Sequence, residues 1–486
     1  MTAVVRTDGL VGRLDQVVGG FIEGAIVDHH RRRLRRLGWA HALDPPPGEW
    51  ASGDPPPRGG NAVEVLIDGA AVLPRVAGAI ESAESHVHLA GWHFSPQIAL
   101  RRGERPLVLR NLLADAAERV DVRLLAWAGA PLPLFRPTRS DVRAVRDELS
   151  RGTNVRVALD ARERPLHCHH EKLVIVDDQL AFVGGIDLSL LAGDRFDSSE
   201  HTARAAVGWH DAAAVVSGPV VADIADHFAL RWREVAGEAL PRAVTPPPSG
   251  DHEVQFVRTV PERIYSGLPR GEFRILESYV RAFRGAKRLI YLENQFLWAP
   301  EVVDVLIEKL RRPPAPDFRI LVVLPSRPNN GQDDTRGQLA QLVEADGVAG
   351  RFLACTIYAR SGSVTDRIYV HAKLAVVDDR WLTIGSANLN EHSLFNDTEV
   401  NLVVRNEALA RDTRLRVWSE HLERPPEAIA GDPAEVIDTV WRPLADEQQR
   451  RLQRGEPVEH RLARLPPFSR RTSRLRGPLD SLLVDS

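Results

Sequence analysis

Apolar positions along the chain fall into two periods. Runs rich in branched residues, such as LVIV (173–176), LAVV (374–377) and RILVV (319–323), read as strands. Segments such as HFALRWRE (227–234) and RLRVWSEH (414–421) read as helices. These elements recur in the same order. HEKLVIVDDQLAFVGGID (170–187) aligns without a gap on HAKLAVVDDRWLTIGSAN (371–388). Upstream, HVHLAGWHF (86–94) matches RLIYLENQF (288–296), and VDVRLLAWAG (120–129) matches DFRILVVLPS (317–326).

Each half therefore reads as strand, helix, strand, a pair of strands, then helix. That alternation predicts an α/β fold with helices on the faces of a sheet. The period is far too long for a solenoid and predicts two tandem domains facing one another across a pseudo-two-fold axis. The expected boundaries are an N-terminal helical extension with a proline-rich linker (1–61), a first half (62–240), the linker PRAVTPPPSGD (241–251), a second half (252–445) and an arginine-rich tail (446–486) expected to be loosely ordered.

Composition narrows the function. A formal net charge of -3 over 486 residues gives no sign of a general nucleic-acid binder. Two cysteines, Cys168 and Cys355, exclude a disulfide-stapled scaffold and suggest a reducing, cytoplasmic setting. No apolar run approaches the roughly 18 residues of a membrane-spanning helix. The N-terminal stretch is interrupted by Arg13, Asp15 and Glu23, unlike a signal peptide. Its Leu10, Leu14, Val17, Val18, Phe21 and Ala25 recur at helical spacing before HHRRRLRRL (29–37). Such a helix could lie peripherally on an anionic bilayer, but packing on its own protein is the favoured expectation.

Of 63 basic residues only four are lysine, and two of these fall in the pattern H-x-K-x-x-x-x-D, present once per half as His170, Lys172, Asp177 and His371, Lys373, Asp378. Chance would give on the order of a hundredth of one match. On a strand, i and i+2 share a face, which puts each histidine beside its lysine. Asp177 and Asp378 have the opposite parity and sit at a turn, which suits structural support. The following glycines, Gly184, Gly185 and Gly385, would let backbone amides approach a bound group.

Two His–Lys pairs facing each other suit a phosphodiester. The lysines would hold non-bridging oxygens, one neutral histidine would attack phosphorus, and the other, protonated, would protonate the leaving oxygen. Water or an alcohol would then displace the first histidine, with no metal or cofactor needed. Each ring needs a carboxylate on its other nitrogen, and Glu399 and Glu200 are the matched candidates.

HCHHEK (167–172) also raises a metal site, but its spacing matches no common zinc pattern and the second copy, IYVHAK, lacks the extra ligands. His167, Cys168 and His169 are expected to be pocket wall, with Cys168 a buried thiol. His86, His88, Trp92 and His93, and their counterparts Glu293 and Gln295, are cleft candidates, as is His210 in GWHD, each weighed evenly against a packing role.

The duplicated motif, followed by GG-x-D in one half and GS-x-N in the other, resembles the phospholipase D superfamily over about residues 62–424, and GWHDAAAVVSGPVV, IYLENQF and IGSANLN resemble its phospholipid-hydrolysing branch. The resemblance implies α/β/α sandwich domains, an active site at their interface and a phosphohistidine intermediate. It implies catalytic roles for His170, Lys172, Asp177, His371, Lys373 and Asp378, with His170 as nucleophile and His371 as acid/base. Lys172, Lys373, Ser386, Asn388 and the residue at Asp187 would hold phosphate. Asp187 stands where many members have asparagine, and His392 where arginine is common. The expected substrate is a phospholipid, with water or an alcohol as acceptor, on a monomeric chain. Cardiolipin-synthase-like transfer and nuclease action are the alternatives within the superfamily, and a non-catalytic scaffold the alternative outside it.

Overall fold

The computed structural model describes residues 9–131, 135–164, 166–328, 332–362 and 364–465. Fourteen strands form its framework, seven before the 241–251 segment and seven after it. The first seven are β1 (Arg58–Ile67), β2 (His86–Gly91), β3 (Asp121–Trp127), β4 (Arg156–Asp160), β5 (Leu173–Val176), β6 (Leu180–Gly184) and β7 (Ala212–Ser217). The others are β8 (His252–Val260), β9 (Leu289–Glu293), β10 (Arg319–Val323), β11 (Phe352–Ser361), β12 (Leu374–Val377), β13 (Trp381–Gly385) and β14 (Glu399–Arg405).

The order across the first set is β4-β3-β2-β5-β6-β7-β1. Across the second it is β11-β10-β9-β12-β13-β14-β8. Each strand of the first half thus has its counterpart seven places on. In both, the first three are parallel and the rest antiparallel, and β1 and β8 pair antiparallel, joining the two into one mixed sheet.

Helices cover both faces, as strands buried on two sides require. Helices α2 (Gly69–Glu81), α3 (Leu109–Ala117) and α4 (Arg139–Ser150) pack on the outer face of the first half. Helix α5 (Val220–Ala236) lies on the other face, and α6 (Arg274–Gly285), α7 (Pro300–Arg311) and α8 (Gln332–Asp346) repeat the outer layer in the second half. Helix α9 (Glu407–Leu422) shares with α5 a single apolar cluster spanning both halves, anchored by the buried Trp232, Trp418 and Trp441.

Two expectations need comment. The chain beyond residue 445 is not loose as far as it is described: α10 (Arg442–Arg454) leads to Leu462–Arg464, which pairs antiparallel with β11 through Ile357, Thr356 and Cys355. This covers the edge of β11, and Arg450, Arg451 and Arg454 of α10 are spent on Glu447, Glu459 and Glu456. Residues 466–486 lie outside the described residues. At the other end, α1 (Gly9–Leu37) docks its last turns on the protein itself. Leu34 is buried, His30 Nδ1 meets Glu301 at 2.7 Å, and Arg33 pairs with Glu262 at 2.6 Å. The side chains of Leu10, Leu14, Val17, Val18 and Phe21 lie outside the described residues, and Ala25 is exposed. Among the described residues no helix is long and apolar enough to cross a membrane.

Candidate active site

The chain approaches β5 and β12 in extended form, and each approach is stitched to the opposite half. The His170 amide donates to the Thr398 carbonyl at 2.9 Å, and the His371 amide donates to the His210 carbonyl at 2.8 Å. The residue after each acceptor supplies a carboxylate: His170 Nδ1 meets Glu399 Oε1 at 3.0 Å, and His371 Nδ1 meets Asp211 Oδ2 at 2.6 Å. Both rings are buried, with centroids 6.5 Å apart in an edge-to-face arrangement. With Nδ1 engaged, Nε2 of each ring remains for chemistry.

Of the two carboxylates expected, the structure brings Glu399 to a histidine and leaves Glu200 away from both. Glu399 orients His170 of the other half rather than His371 of its own, and it also accepts the hydroxyls of Ser386 and Ser393. Glu200 is exposed on a turn, its carbonyl accepting from Arg461, and Asp211 takes the role assigned to it. Residue parity explains the miss. In GWHD, Trp209 lines the cleft and Asp211 reaches His371 Nδ1, while His210 turns away into a buried network with Asp68 and Glu293.

Lys172 and Lys373 sit behind the rings. Lys172 Nζ donates to the His170 carbonyl at 2.7 Å and pairs with Asp187 at 3.3 Å. Lys373 Nζ donates to the His371 carbonyl and, at 3.2 Å, to Gln295 Oε1, which also accepts from Asn388 at 3.3 Å. The Asp187 charge is thus answered by Lys172. Ser386 differs from its expected phosphate role, since its hydroxyl is committed to Glu399.

Asp177 and Asp378 are not in the site. Asp177 accepts the amides of Glu84, Ser85 and His86, and Asp378 those of Lys287, Arg288 and Leu289. They tie down the starts of β2 and β9, at the ends of those strands remote from the cleft. Gly185 and Gly385 also serve differently from expectation. A Cβ on Gly185 would lie 2.2 Å from Asp211 Oδ1, and one on Gly385 2.2 Å from Asn401 Oδ1, so each glycine makes room for a neighbouring side chain rather than for a ligand.

The cleft is walled by Trp92, Leu191, Trp209 and Gln295 around the two histidines. Arg136 stands exposed on its wall, and Arg195 is buried with its guanidinium 3.4 Å from the Trp209 ring centre. Sequence reading passed over Arg195, because arginine is this chain's default cation. His86 and His88 lie at the far end of β2, His93 Nδ1 meets Ser189 at 2.9 Å, and Glu293 is buried beneath with His210 and His421.

Electrostatics distinguish the second ring. Burial, reinforced by Lys373, Lys172, Arg195 and His170, holds the His371 imidazole well below its ordinary value, so it is neutral at pH 7. Burial pushes Asp211 up to about 6, against the opposing pull of Lys373, the Ala212 amide and His210. Burial brings Arg195 down to about 10, against Asp187 and Asp211, and leaves it charged.

HCHHEK does not gather around one point. His169 turns to Asp160 at 3.1 Å and Thr398 at 2.9 Å, Cys168 is buried outside any disulfide in a pocket of Trp92, Trp127 and Ala130, and His170 goes to Glu399. Among the described residues, His167 alone of this stretch belongs to a group of three metal-type ligands, with His392 at 3.0 Å and Asp397 at 3.4 Å.

The family described as cardiolipin synthase, PLD-like domain, matches residues 279–418. The chain is similar to phospholipase D A of Dictyostelium discoideum, 26% identical over 76% of this chain and 36% of that protein. It is 27% identical to phospholipase D1 of Schizosaccharomyces pombe over 74% of this chain and 34% of that protein. It is 24% identical to phospholipase D alpha 1 of Zea mays, covering 71% and 62%. The chain thus spans between about a third and two thirds of the length of these relatives. Among solved structures, phosphatidylserine synthase of Haemophilus influenzae Rd KW20 shares the fold with a TM-score of 0.50 at 13% identity, over 73% of this chain and 84% of that one.

Proposed function

Because the chain belongs to the phospholipase D superfamily, we propose that it cleaves phosphodiester bonds of phospholipids and passes the phosphatidyl group, through a phosphohistidine, to water or an alcohol. The observation that carries this reading is the crossed pair of hydrogen bonds, His170–Glu399 and His371–Asp211, on two buried rings 6.5 Å apart. That separation accommodates a phosphorus between the two Nε2 atoms. One ring attacks from one side, and the other stands opposite, beside the leaving oxygen, as in-line displacement requires.

The steps follow from the chain's own groups. A neutral imidazole, its Nδ1 proton held by the carboxylate, forms the N–P bond through Nε2, while the protonated partner gives its Nε2 proton to the departing alcohol oxygen. The carboxylate stabilises the positive charge that grows on the attacking ring, without taking the proton. The partner, now neutral, removes a proton from the acceptor, whose oxygen displaces the histidine from phosphorus. Two in-line displacements leave the configuration at phosphorus retained. Lys172, Lys373 and Arg195 supply fixed positive charge at the phosphoryl oxygens, and Gln295 and Asn388 add neutral donors. The apolar walls at Trp92, Leu191 and Trp209 suit the glyceride side of a lipid better than a second phosphate of a nucleic-acid strand.

The test is turnover on mixed phospholipid vesicles with and without a primary alcohol, for wild type, His170→Ala and His371→Ala, with single-stranded DNA as competing substrate. Headgroup release or phosphatidyl-alcohol formation, lost in both variants, supports the proposal. Cleavage of DNA with none of lipid overturns it in favour of a nuclease.

A further inference from the structure

Behind the His371–Asp211 pair lies a second cluster that the proposed chemistry does not use. Asp68 sits between β1 and α2, His201 on the turn before Gly208–His210, His210 at the end of that short strand, and Glu420 near the end of α9. One ligand-type atom from each lies within 4.8 Å of all the others. The contacts are His201 Nε2 to Glu420 Oε1 at 2.8 Å, His210 Nδ1 to Asp68 Oδ1 at 3.0 Å, His210 Nδ1 to Glu420 Oε1 at 3.1 Å, and His201 Nε2 to Asp68 Oδ2 at 3.7 Å. Ligands at about 2.0–2.1 Å around a tetrahedral ion stand about 3.3–3.4 Å apart, within that spread.

Two further observations point to an ion. Asp68 is fully buried, yet its Oδ2 has no hydrogen-bond partner. With its nearest nitrogen, His201 Nε2, at 3.7 Å, beyond hydrogen-bond reach, such a buried carboxylate oxygen is costly unless a closer cation completes it. The outer nitrogens of both histidines also face carboxylates, His201 Nδ1 toward Asp197 at 3.2 Å and His210 Nε2 toward Glu293 at 2.8 Å. This is the carboxylate–histidine arrangement that fixes ring orientation and raises ligand basicity at metal sites. Asp68 and His201 hold left-handed backbone, φ 63 and 43, at non-glycine positions. Elsewhere in the fold, the buried carboxylates Asp160 and Glu171 are answered by the guanidinium of Arg231. Among the described residues, neither Asp68 nor Glu420 pairs with an arginine or lysine.

We propose that Asp68, His201, His210 and Glu420 bind one tetrahedral divalent transition-metal cation of the zinc type, which ties the two halves together behind the active site. In its absence each imidazole, with carboxylates at both nitrogens, is an imidazolium. Binding exchanges the protons on His201 Nε2 and His210 Nδ1 for the ion, so two protons leave to solvent and the buried charge is unchanged. Asp68, His201 and His210 come from the first half and Glu420 from the second. Asp68 Oδ1 also accepts the Asp211 amide at 3.1 Å, so the ion would set the backbone that presents Asp211 to His371.

The test is metal content of the full chain after zinc reconstitution and gel filtration, repeated with cobalt(II) as a visible probe. The expected result is about one equivalent per chain, a cobalt spectrum of tetrahedral type without a thiolate charge-transfer band, and a fall in melting temperature when the ion is stripped. His201→Gln and Glu420→Gln lose the ion, whereas His392→Gln, in the His167 cluster, keeps it. A folded wild type that retains neither metal, or undiminished retention in the folded His201 and Glu420 variants, overturns the proposal. If those variants do not fold, the wild-type cobalt spectrum decides: absence of tetrahedral bands overturns it. None of these readouts depends on turnover. A chelator that stops turnover at once, with the melting temperature unchanged, speaks instead against the metal-independent chemistry proposed above.

Discussion

His170 and Glu399 lie 229 residues apart and belong to opposite halves, yet their hydrogen bond at 3.0 Å is one member of a crossed pair. The other joins His371 to Asp211. Each half therefore contributes a histidine to its own side of the cleft and the carboxylate that aims the other half's histidine. Neither His170 nor His371 finds its orienting carboxylate within its own half, which makes the joined fold a condition of the proposed chemistry.

Asp211→Asn and Glu399→Gln should each lower kcat on the order of 10³-fold, because the amide can present its NH₂ to Nδ1 and reverse the ring tautomer. Glu200→Gln, exposed and remote from both rings, should stay within about twofold of wild type, as surface changes ordinarily do. Steady-state turnover on vesicles checks all three. A large loss at Glu200 with none at Asp211 would reverse the assignment.

Arg195→Gln should reduce kcat/KM by on the order of 10²-fold, as loss of one fixed donor at developing charge does. Lysine at this position should restore only part of it, since an ammonium cannot lie flat on the Trp209 ring. Kinetics of the two variants side by side measure how much depends on the charge and how much on the stacked guanidinium.

The pH response of Asp211 should carry opposite signs for activity and for stability. Activity needs the ionised carboxylate, so turnover should fall as pH drops through about 6. For stability, burial has raised the folded-state pKa above the ordinary 3.8, so the group's contribution is fully present below about 4 and lost as pH rises toward about 6. The integrated difference is about 3 kcal/mol. Chemical denaturation of wild type and Asp211→Asn from pH 4 to 7 should show wild type losing ground to the variant as pH rises, while its activity climbs.

How much of this was readable in advance depends on whether a signal was local. The repeat, the strand-pair turn at Asp177–Asp178 and the His–Lys spacing are local patterns, and the structure gives the two halves one strand order. Asp211 was missed because its partner is 160 residues away, and a same-half spacing rule has no access to a contact between halves. The structural use of Asp177 and Asp378 followed from strand parity alone. The ordering of α10 and of Leu462–Arg464 did not, since whether an arginine-rich segment is solvated or paired depends on which edge and which glutamates it meets.

Gly185→Ala offers the sharpest geometric test. The new Cβ would fall 2.2 Å from Asp211 Oδ1, closer than any real Cβ contact, so the carboxylate or the strand must move. The glycine has no positive φ, so alanine adds little backbone strain, and the damage should fall on the site rather than on the fold. Turnover should drop by at least about tenfold, in line with the sensitivity of catalysis to misplacements of about 1 Å. The melting temperature should shift far less than in a core variant such as Trp418→Ala, where loss of a fully buried ring costs about 3–5 kcal/mol. Equal losses of activity and stability in Gly185→Ala would mean that the glycine serves strand packing and that Asp211 is not held where His371 needs it by this contact.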